Sequence, residues 1–306
     1  MDKMDLVSQQ RLLVILGPTA SGKTQLAVEL AKRLNGAVIS ADSRQVYKGM
    51  DLGTGKDLGA YDNIPHYLID VVEAGESYHV ARYREDFQQA FDAIWAQGKQ
   101  PILCGGTGMY IQAVVQGFNY AAVPVNPVLR AALAQVPLQT LREQLAQLSL
   151  PPDFSADTST HKRLIRAIEI AAWYRSNPLP VHSDHPIRAT LFGINPPVEL
   201  RRQRITARLQ QRLDDGLLKE VEALLEKGIP AEKLIYYGLE YKYATQYVLG
   251  ELSYEVFFAR LNTEIHRFAK RQMTYFRKME KDGIPIHWLK TGTLSEMVEE
   301  ILISQQ

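Results

Sequence analysis

Gly17-Pro18-Thr19-Ala20-Ser21-Gly22-Lys23-Thr24 fits G-x-x-x-x-G-K-[ST], the pattern of a loop that cradles phosphate. Successive backbone N–H groups in such a loop form an anion-binding nest. The helix that follows adds the partial positive charge of its N-terminus. Lys23 brings a point charge for a terminal phosphate, and Thr24 brings a hydroxyl for Mg²⁺. The flanking sequence supplies the context this chemistry needs. The apolar run from Arg11 to Leu16 reads as a short buried strand feeding the loop. Beyond Thr24, residues Leu26, Ala27, Leu30, Ala31 and Leu34 share one helical face, and Asn35-Gly36 is a stop signal. A glycine-rich turn without a ligand would leave Lys23 and Thr24 unexplained.

Working outward, strand and helix patterns alternate. Gly36 to Ser40 reads as a second strand and Tyr67 to Asp70 as a third, ending in a carboxylate. Arg82 to Trp95 carries a helical apolar stripe. Pro101 to Cys104 reads as a fourth strand and runs into Gly105-Gly106-Thr107-Gly108. Such alternation implies right-handed crossovers and an α/β fold, a parallel sheet flanked by helices whose active site lies at the carboxyl ends of the strands. The pattern then changes. From Asn119 to Pro180 no strand is legible, and helical stretches run from Leu129 to Val136, Leu138 to Leu148 and Thr160 to Tyr174. The expected organisation is a core made of 1–118 and 181–306, with an all-helical insertion at 119–180. Strands return from Ala189 to Ile194 and from Pro285 to Leu289. Val198 to Lys227 reads as one long helix whose early turns carry Arg201, Arg202, Arg204, Arg208 and Arg212.

The 306 residues are 46% hydrophobic, enough for a sizeable core, and the net charge of +1 favours no partner class by bulk electrostatics. Nucleic-acid binding therefore has to come from a local patch. One exists: residues 260–281 hold seven Lys or Arg against two Glu. The single cysteine, Cys104, excludes an intramolecular disulfide and a cysteine-cluster metal site, and it reads as inert core. The first ten residues lack an apolar signal core and no stretch is long enough to span a bilayer, so a cytoplasmic protein without a membrane partner is expected. Trp95, Trp173 and Trp288 read as core. Asp70 is a candidate magnesium-holding carboxylate. His182-x-x-His185 is a poor metal pair. Asp42-Ser43-Arg44-Gln45-Val46-Tyr47 follows the second strand directly. Chemistry alone leaves Asp42 open between a metal ligand or general base and a helix N-cap.

Taken together, these segments resemble the tRNA dimethylallyltransferase family. The phosphate loop, Asp42-Ser43-x-Gln45-x-Tyr47, Pro65-His66-Tyr67-Leu68-Ile69-Asp70 and Gly105-Gly106-Thr107-Gly108-x-Tyr110 occur in the family's order. Arg163-x-x-Arg166-Ala167-Ile168-Glu169 and Ala269-Lys270-Arg271-Gln272-x-Thr274-x-x-Arg277 complete the series. The resemblance spans nearly the whole chain. It implies a P-loop nucleoside-triphosphatase-like core and transfer of a dimethylallyl group from dimethylallyl diphosphate, with Mg²⁺, to the exocyclic amine of the adenosine 3′ to the anticodon of tRNA. Gly17, Thr19, Ala20, Ser21, Gly22, Lys23 and Thr24 would then hold a leaving diphosphate, with Mg²⁺ at Thr24, and Asp42 would be the base. Asp42, Ser43, Arg44, Gln45 and Thr107 would meet the acceptor nucleotide. Arg163, Arg166, Lys270, Arg271 and Arg277 would face tRNA phosphates of the anticodon stem-loop. A monomer is expected.

Four positions depart from the family. Glu240, Tyr241 and Lys242 stand where Gly-Tyr-Arg is common, His266 where an Arg is usual, and Tyr275 where a Trp is usual. Lysine keeps the charge of arginine but loses its bidentate fork. Two other readings stay open on the sequence. One is a prenyltransferase acting on free adenine nucleotides, which would not need the arginine-bearing insertion. The other is a P-loop kinase or ATPase, for which no acceptor or switch residues are evident. A non-enzymatic RNA-binding module would need neither Lys23 nor Asp42.

Overall fold

The computed structural model of the chain describes residues 11–117, 120, 123–150, 154, 156–177 and 187–305. Strand β1 (Arg11–Leu16) is apolar at every position after Arg11, and its pleat sends successive side chains to opposite faces. Leu12, Val14 and Leu16 pack in one core with Tyr83, Phe87 and Phe91. Leu13 and Ile15 pack in another with Leu26 and Leu30. A strand must be apolar throughout when both faces of its sheet are covered, which is the layering of a parallel α/β sheet.

The sheet is completed by β2 (Gly36–Ser40), β3 (His66–Tyr67), β4 (Gln100–Gly105), β5 (Arg188–Gly193) and β6 (His287–Trp288). Its order is β3-β2-β4-β1-β5-β6 and every pairing is parallel. Helices α1 (Lys23–Arg33), α2 (Val80–Ala96) and α3 (Gly108–Gln116) follow β1, β3 and β4 in the chain. This is the P-loop nucleoside-triphosphatase-like arrangement. It brings the loops after β1, β2 and β4 to one edge, where ligands bind in such sheets.

The chain divides into two compact units, Met1–Val115 with Ile187–Gln306, and Gln116–Pro186. Among its described residues the second unit contains helices and no strand: α4 (Pro127–Leu133), α5 (Leu138–Ala146) and α6 (His161–Ser176). They enclose Leu133, Leu141, Leu145, Leu164, Ile165 and Ile168. The first unit continues through α7 (Val198–Asp214), α8 (Leu217–Glu226), α9 (Ala231–Tyr236), α10 (Leu239–Val248), the 28-residue α11 (Tyr254–Lys281) and α12 (Leu294–Ser304).

Several sequence expectations are corrected. The expected helix from Val198 to Lys227 is two helices, because Gly216 adopts φ 106°, a left-handed conformation that ends one and opens the other. The expected strand from Tyr67 to Asp70 pairs only at His66 and Tyr67, since Leu68 (φ 61°) and Asp70 (φ 57°) turn the backbone out of the ladder. The strand expected from Pro285 to Leu289 is likewise confined to His287 and Trp288. The three tryptophans are half-buried rather than core. His182 and His185 lie outside the described residues.

Candidate active site

The phosphate loop is built by backbone conformation. Ala20 (φ 59°) and Gly22 (φ 90°) both lie in the left-handed region, which turns successive N–H groups inward. Gly22 caps α1 with no side-chain hydrogen bond, so the helix N-terminus stays open to an anion. The Thr19 N–H donates to Gln272 Oε1 at 2.9 Å. None of the N–H groups from Ala20 to Thr24 has a partner among the described residues. Gly17 is fixed by close approach, since a Cβ there would meet Ile194 O at 2.7 Å. Lys23 Nζ donates to Pro18 O at 3.2 Å. Burial lowers the Lys23 amine from the usual lysine range against the partial support of Cys104 and Asp42. A cation held at such a cost of desolvation is poised to gain from an arriving anion.

Lys23 and Thr24 open into a cavity of about 550 Å³ that is also lined by Asp42, Ser43, Arg44, Gln45 and Thr107. The chain after β2 is held across to the chain after β4. Thr107 N–H donates to Ala41 O at 3.0 Å, and Ser43 N–H donates to Thr107 Oγ1 at 3.0 Å. This approach explains Gly105, where a Cβ would meet Ala41 O at 2.2 Å. Asp42 Oδ1 accepts the Arg44 N–H at 2.9 Å, and Oδ2 has no partner among the described residues. Asp42 thus orders its own turn with one oxygen and keeps the other for the cavity. Gln45 is used structurally, accepting from Ser40 Oγ at 2.9 Å and donating to Gly55 O at 3.0 Å. The Arg44 guanidinium lies 5.6 Å from the ring centroid of the exposed Tyr236.

Of the five cations expected to face tRNA phosphates, Arg271 lines this cavity, and Lys270 and Arg277 line a second one. Arg163 is exposed but ion-paired with Asp157 at 3.0 Å. Arg166 is turned into its own unit, donating to Tyr120 O at 3.0 Å, Val123 O at 2.7 Å and the Glu169 carboxylate. Glu169 is buried and also accepts from Asn126 N–H at 2.6 Å and Arg130 Nη2 at 2.9 Å. Burial would raise its carboxyl, but these donors outweigh burial and hold it below the usual range. The Arg166-x-x-Glu169 pair therefore organises the helical unit. Asp70, the candidate metal carboxylate, is instead an ion-pair partner of the buried Lys56, which also reaches Asp51 at 2.6 Å. Cys104 does line the cavity, yet burial pushes its thiol up to about 12, which keeps it inert.

The sequence reading missed part of the wall. Arg208 and Arg212, one turn apart on α7, reach the cavity; Arg208 donates to Gly55 O at 3.3 Å and pairs with Asp57 at 3.0 Å. Their i, i+4 spacing was the available signal. Glu240 also lines the cavity, 3.5 Å from the Arg212 guanidinium. Burial raises the Glu240 carboxyl while Arg212 counters it. Apolar side chains, Ile235, Leu239, Ile265 and Phe268, also line the cavity. Among the described residues no cluster of three metal-ligating side chains exists. A magnesium ion suits this donor set only as one held by the Thr24 hydroxyl together with ligand oxygens, which is how Mg²⁺ commonly sits on phosphates.

The sequence model of a family described as IPP transferase matches residues 45–279, and one described as Isopentenyl transferase matches residues 10–61. The chain is 50% identical to "tRNA dimethylallyltransferase 2" of Porphyromonas gingivalis, covering 91% of this chain and 93% of that protein. It is 48% identical to "tRNA dimethylallyltransferase 2" of Phocaeicola vulgatus, covering 99% and 98%. Among solved structures it is similar to a full-length tRNA isopentenylpyrophosphate transferase from Bacillus halodurans. That likeness has a TM-score of 0.72 and 31% identity, over 97% of this chain and 96% of that one.

Proposed function

The chain belongs to the IPP transferase family, the tRNA dimethylallyltransferases, and from that premise we propose how it carries out prenyl transfer to tRNA. The donor is dimethylallyl diphosphate and the acceptor is the exocyclic amine of the adenosine 3′ to the anticodon. The observation that carries this reading is that Lys23 of the phosphate loop and Asp42 face one cavity. Breaking an allylic C–O bond loads negative charge onto the leaving diphosphate. The loop N–H groups, Lys23, and the neighbouring Arg208 and Arg212 meet that charge as it develops. The Thr24 hydroxyl would hold a Mg²⁺ ion, which would supply further neutralisation of the leaving group's charge.

An adenine amine is a weak nucleophile because its lone pair is delocalised into the ring. Asp42, with Oδ2 open to the cavity, accepts the amine proton as the new C–N bond forms. The acceptor base must leave its stack to reach it. Ser43, Arg44 and Thr107 line the cavity that such a base would enter. Ile235, Leu239, Ile265 and Phe268 suit the dimethylallyl group and keep water from it. Arg163, Lys270, Arg271 and Arg277 are exposed, and of these Arg163 and Arg271 lie outside the second, smaller cavity and are assigned to tRNA phosphates. Among the described residues no helix is long and apolar enough to cross a membrane; that the protein acts as a monomer in the cytoplasm is part of the proposal.

Asp42→Asn tests the assignment. Turnover is expected to fall by about 10²–10⁴-fold, the usual worth of a positioned base. Donor affinity, measured by equilibrium binding, stays within about twofold of wild type. Unchanged turnover would remove Asp42 from the chemistry.

A further inference from the structure

A second cavity, of about 360 Å³, is lined by Asn195, Val198, Arg201, Arg202, His266, Lys270, Met273 and Arg277. Five of these eight side chains are basic and none is acidic. None of the five makes an ion pair among the described residues; Arg201 donates to Asn195 Oδ1 at 3.3 Å. The fold gains nothing from such a grouping. Arg201 is lowered by burial and then by Arg202 and Arg277, with Glu199 acting on it without lining the cavity. His266 is lowered by burial and then by Arg202 and Arg201. Like charges converging without a counter-ion mark a place where the counter-ion arrives from outside.

The position of this cavity selects the anion. His266, Lys270, Met273 and Arg277 form one stripe of α11, whereas Phe268, Arg271, Gln272 and Tyr275 form the stripe facing the first cavity. The two cavities thus flank α11 on different faces. Asn195 lies two residues beyond the end of β5, and the close approach of Gly17 to Ile194 sets the start of the phosphate loop against that strand end. Along α7, Arg201 and Arg208 share a face about 10 Å apart at 1.5 Å per residue, with Arg212 a turn further. A row of guanidinium groups therefore leads from the second cavity to the first. Backbone phosphates of RNA carry one charge each and are strung along a strand, so they call for cations spread over a surface. Cations converging on one concavity suit a compact, multiply charged group.

We propose that the second cavity is a diphosphate-binding site distinct from the phosphate loop, taking either the head of an arriving donor or the departing inorganic diphosphate. The assignment of diphosphate to the loop is the premise on which it rests. The test is calorimetric titration with inorganic diphosphate. Wild type is expected to bind two equivalents. Lys23→Ala should lose the loop site and keep the other; the double variant Arg201→Gln/Arg202→Gln should do the reverse. If the double variant fails to fold, Arg202→Gln alone, at an exposed position, should weaken the second site by about tenfold. Displacement of the second equivalent by dimethylallyl diphosphate supports an arriving donor, and resistance to displacement supports the departing product. One equivalent in wild type, lost in Lys23→Ala, overturns the proposal. So does a double variant that keeps two equivalents while binding an anticodon stem-loop RNA about tenfold more weakly, which assigns the cavity to RNA. Two equivalents surviving in Lys23→Ala would instead contradict the loop assignment alone.

Discussion

Lys23 and Asp42 line one cavity, and in the proposed reaction they would act through opposite devices. Burial lowers the Lys23 amine, and Asp42 has one oxygen without a partner among the described residues. The lysine carries a pH signature. Its amine is lowered by burial, so its charge is lost at a pH below that of an ordinary lysine as pH rises. The alkaline limb of kcat/KM, which reports the free enzyme, is expected to lie below the usual lysine value and to vanish from that range in Lys23→Arg. A wild-type limb at the ordinary lysine position would contradict the burial of this amine. Lys23→Ala is expected to cost about 10²–10³-fold in kcat, the scale of a lost leaving-group donor. The placement of both residues was legible in sequence because the motif fixes the loop and the preceding strand fixes the edge, whereas residue chemistry alone left the role of Asp42 open. The destinations of Asp70 and Arg166 were not. Lys56 claims Asp70 from 14 residues away, and Glu169 with the Tyr120 and Val123 carbonyls claims Arg166. Such pairings depend on tertiary placement, which residue type does not reveal.

Between elements, the decisive contact is the crossing of the chain after β2 by the chain after β4. Gly105→Ala puts a Cβ 2.2 Å from the Ala41 carbonyl, a backbone atom that cannot move without carrying Asp42 and Thr107 with it. Activity is expected to fall by at least about 10²-fold, the cost of misplacing a reacting group by ~1 Å. Crystal structures or amide exchange at Ser43 would locate the change, and full activity would contradict the role of this crossing. Within the helical unit, Glu169→Ala leaves Arg130 and Arg166 facing a vacated carboxylate and is expected to cost about 3 kcal/mol of that unit's stability. Trp173 on α6 reports it by fluorescence when Trp95 and Trp288 are replaced by Phe. The carboxyl is held below its usual range, so its contribution is fully present above the unfolded value of about 4.3 and is lost as pH falls through the folded one. An acid transition in wild-type Trp173 fluorescence that is absent from Glu169→Gln is the expected result. The helices were readable from their apolar spacing. The break at Gly216 was not, because the apolar positions keep their phase through it and only the backbone sign changes.

Across the whole molecule, a parallel sheet was implied by strand–helix alternation, while its order came from the structure and puts the phosphate loop after a central strand. The composite wall of the cavity was not legible. It draws on residues from the phosphate loop to Tyr275, including the loop from Gly53 to Gly55 and helices α7, α10 and α11. The departures at Glu240 and Lys242 make sense only at this scale, because both line the cavity, and Glu240 lies against Arg212, a second charge on the same wall. The central claim is that in this cavity a dimethylallyl group leaves its diphosphate and joins the amine of an RNA adenine. The direct measurement is incubation with dimethylallyl diphosphate, Mg²⁺ and either unmodified tRNA or AMP, followed by digestion and mass spectrometry of the nucleosides. A dimethylallyl increment on adenosine from tRNA, dependent on Asp42, is the predicted result. An increment confined to AMP, or none on either acceptor with phosphate released from ATP, would contradict it.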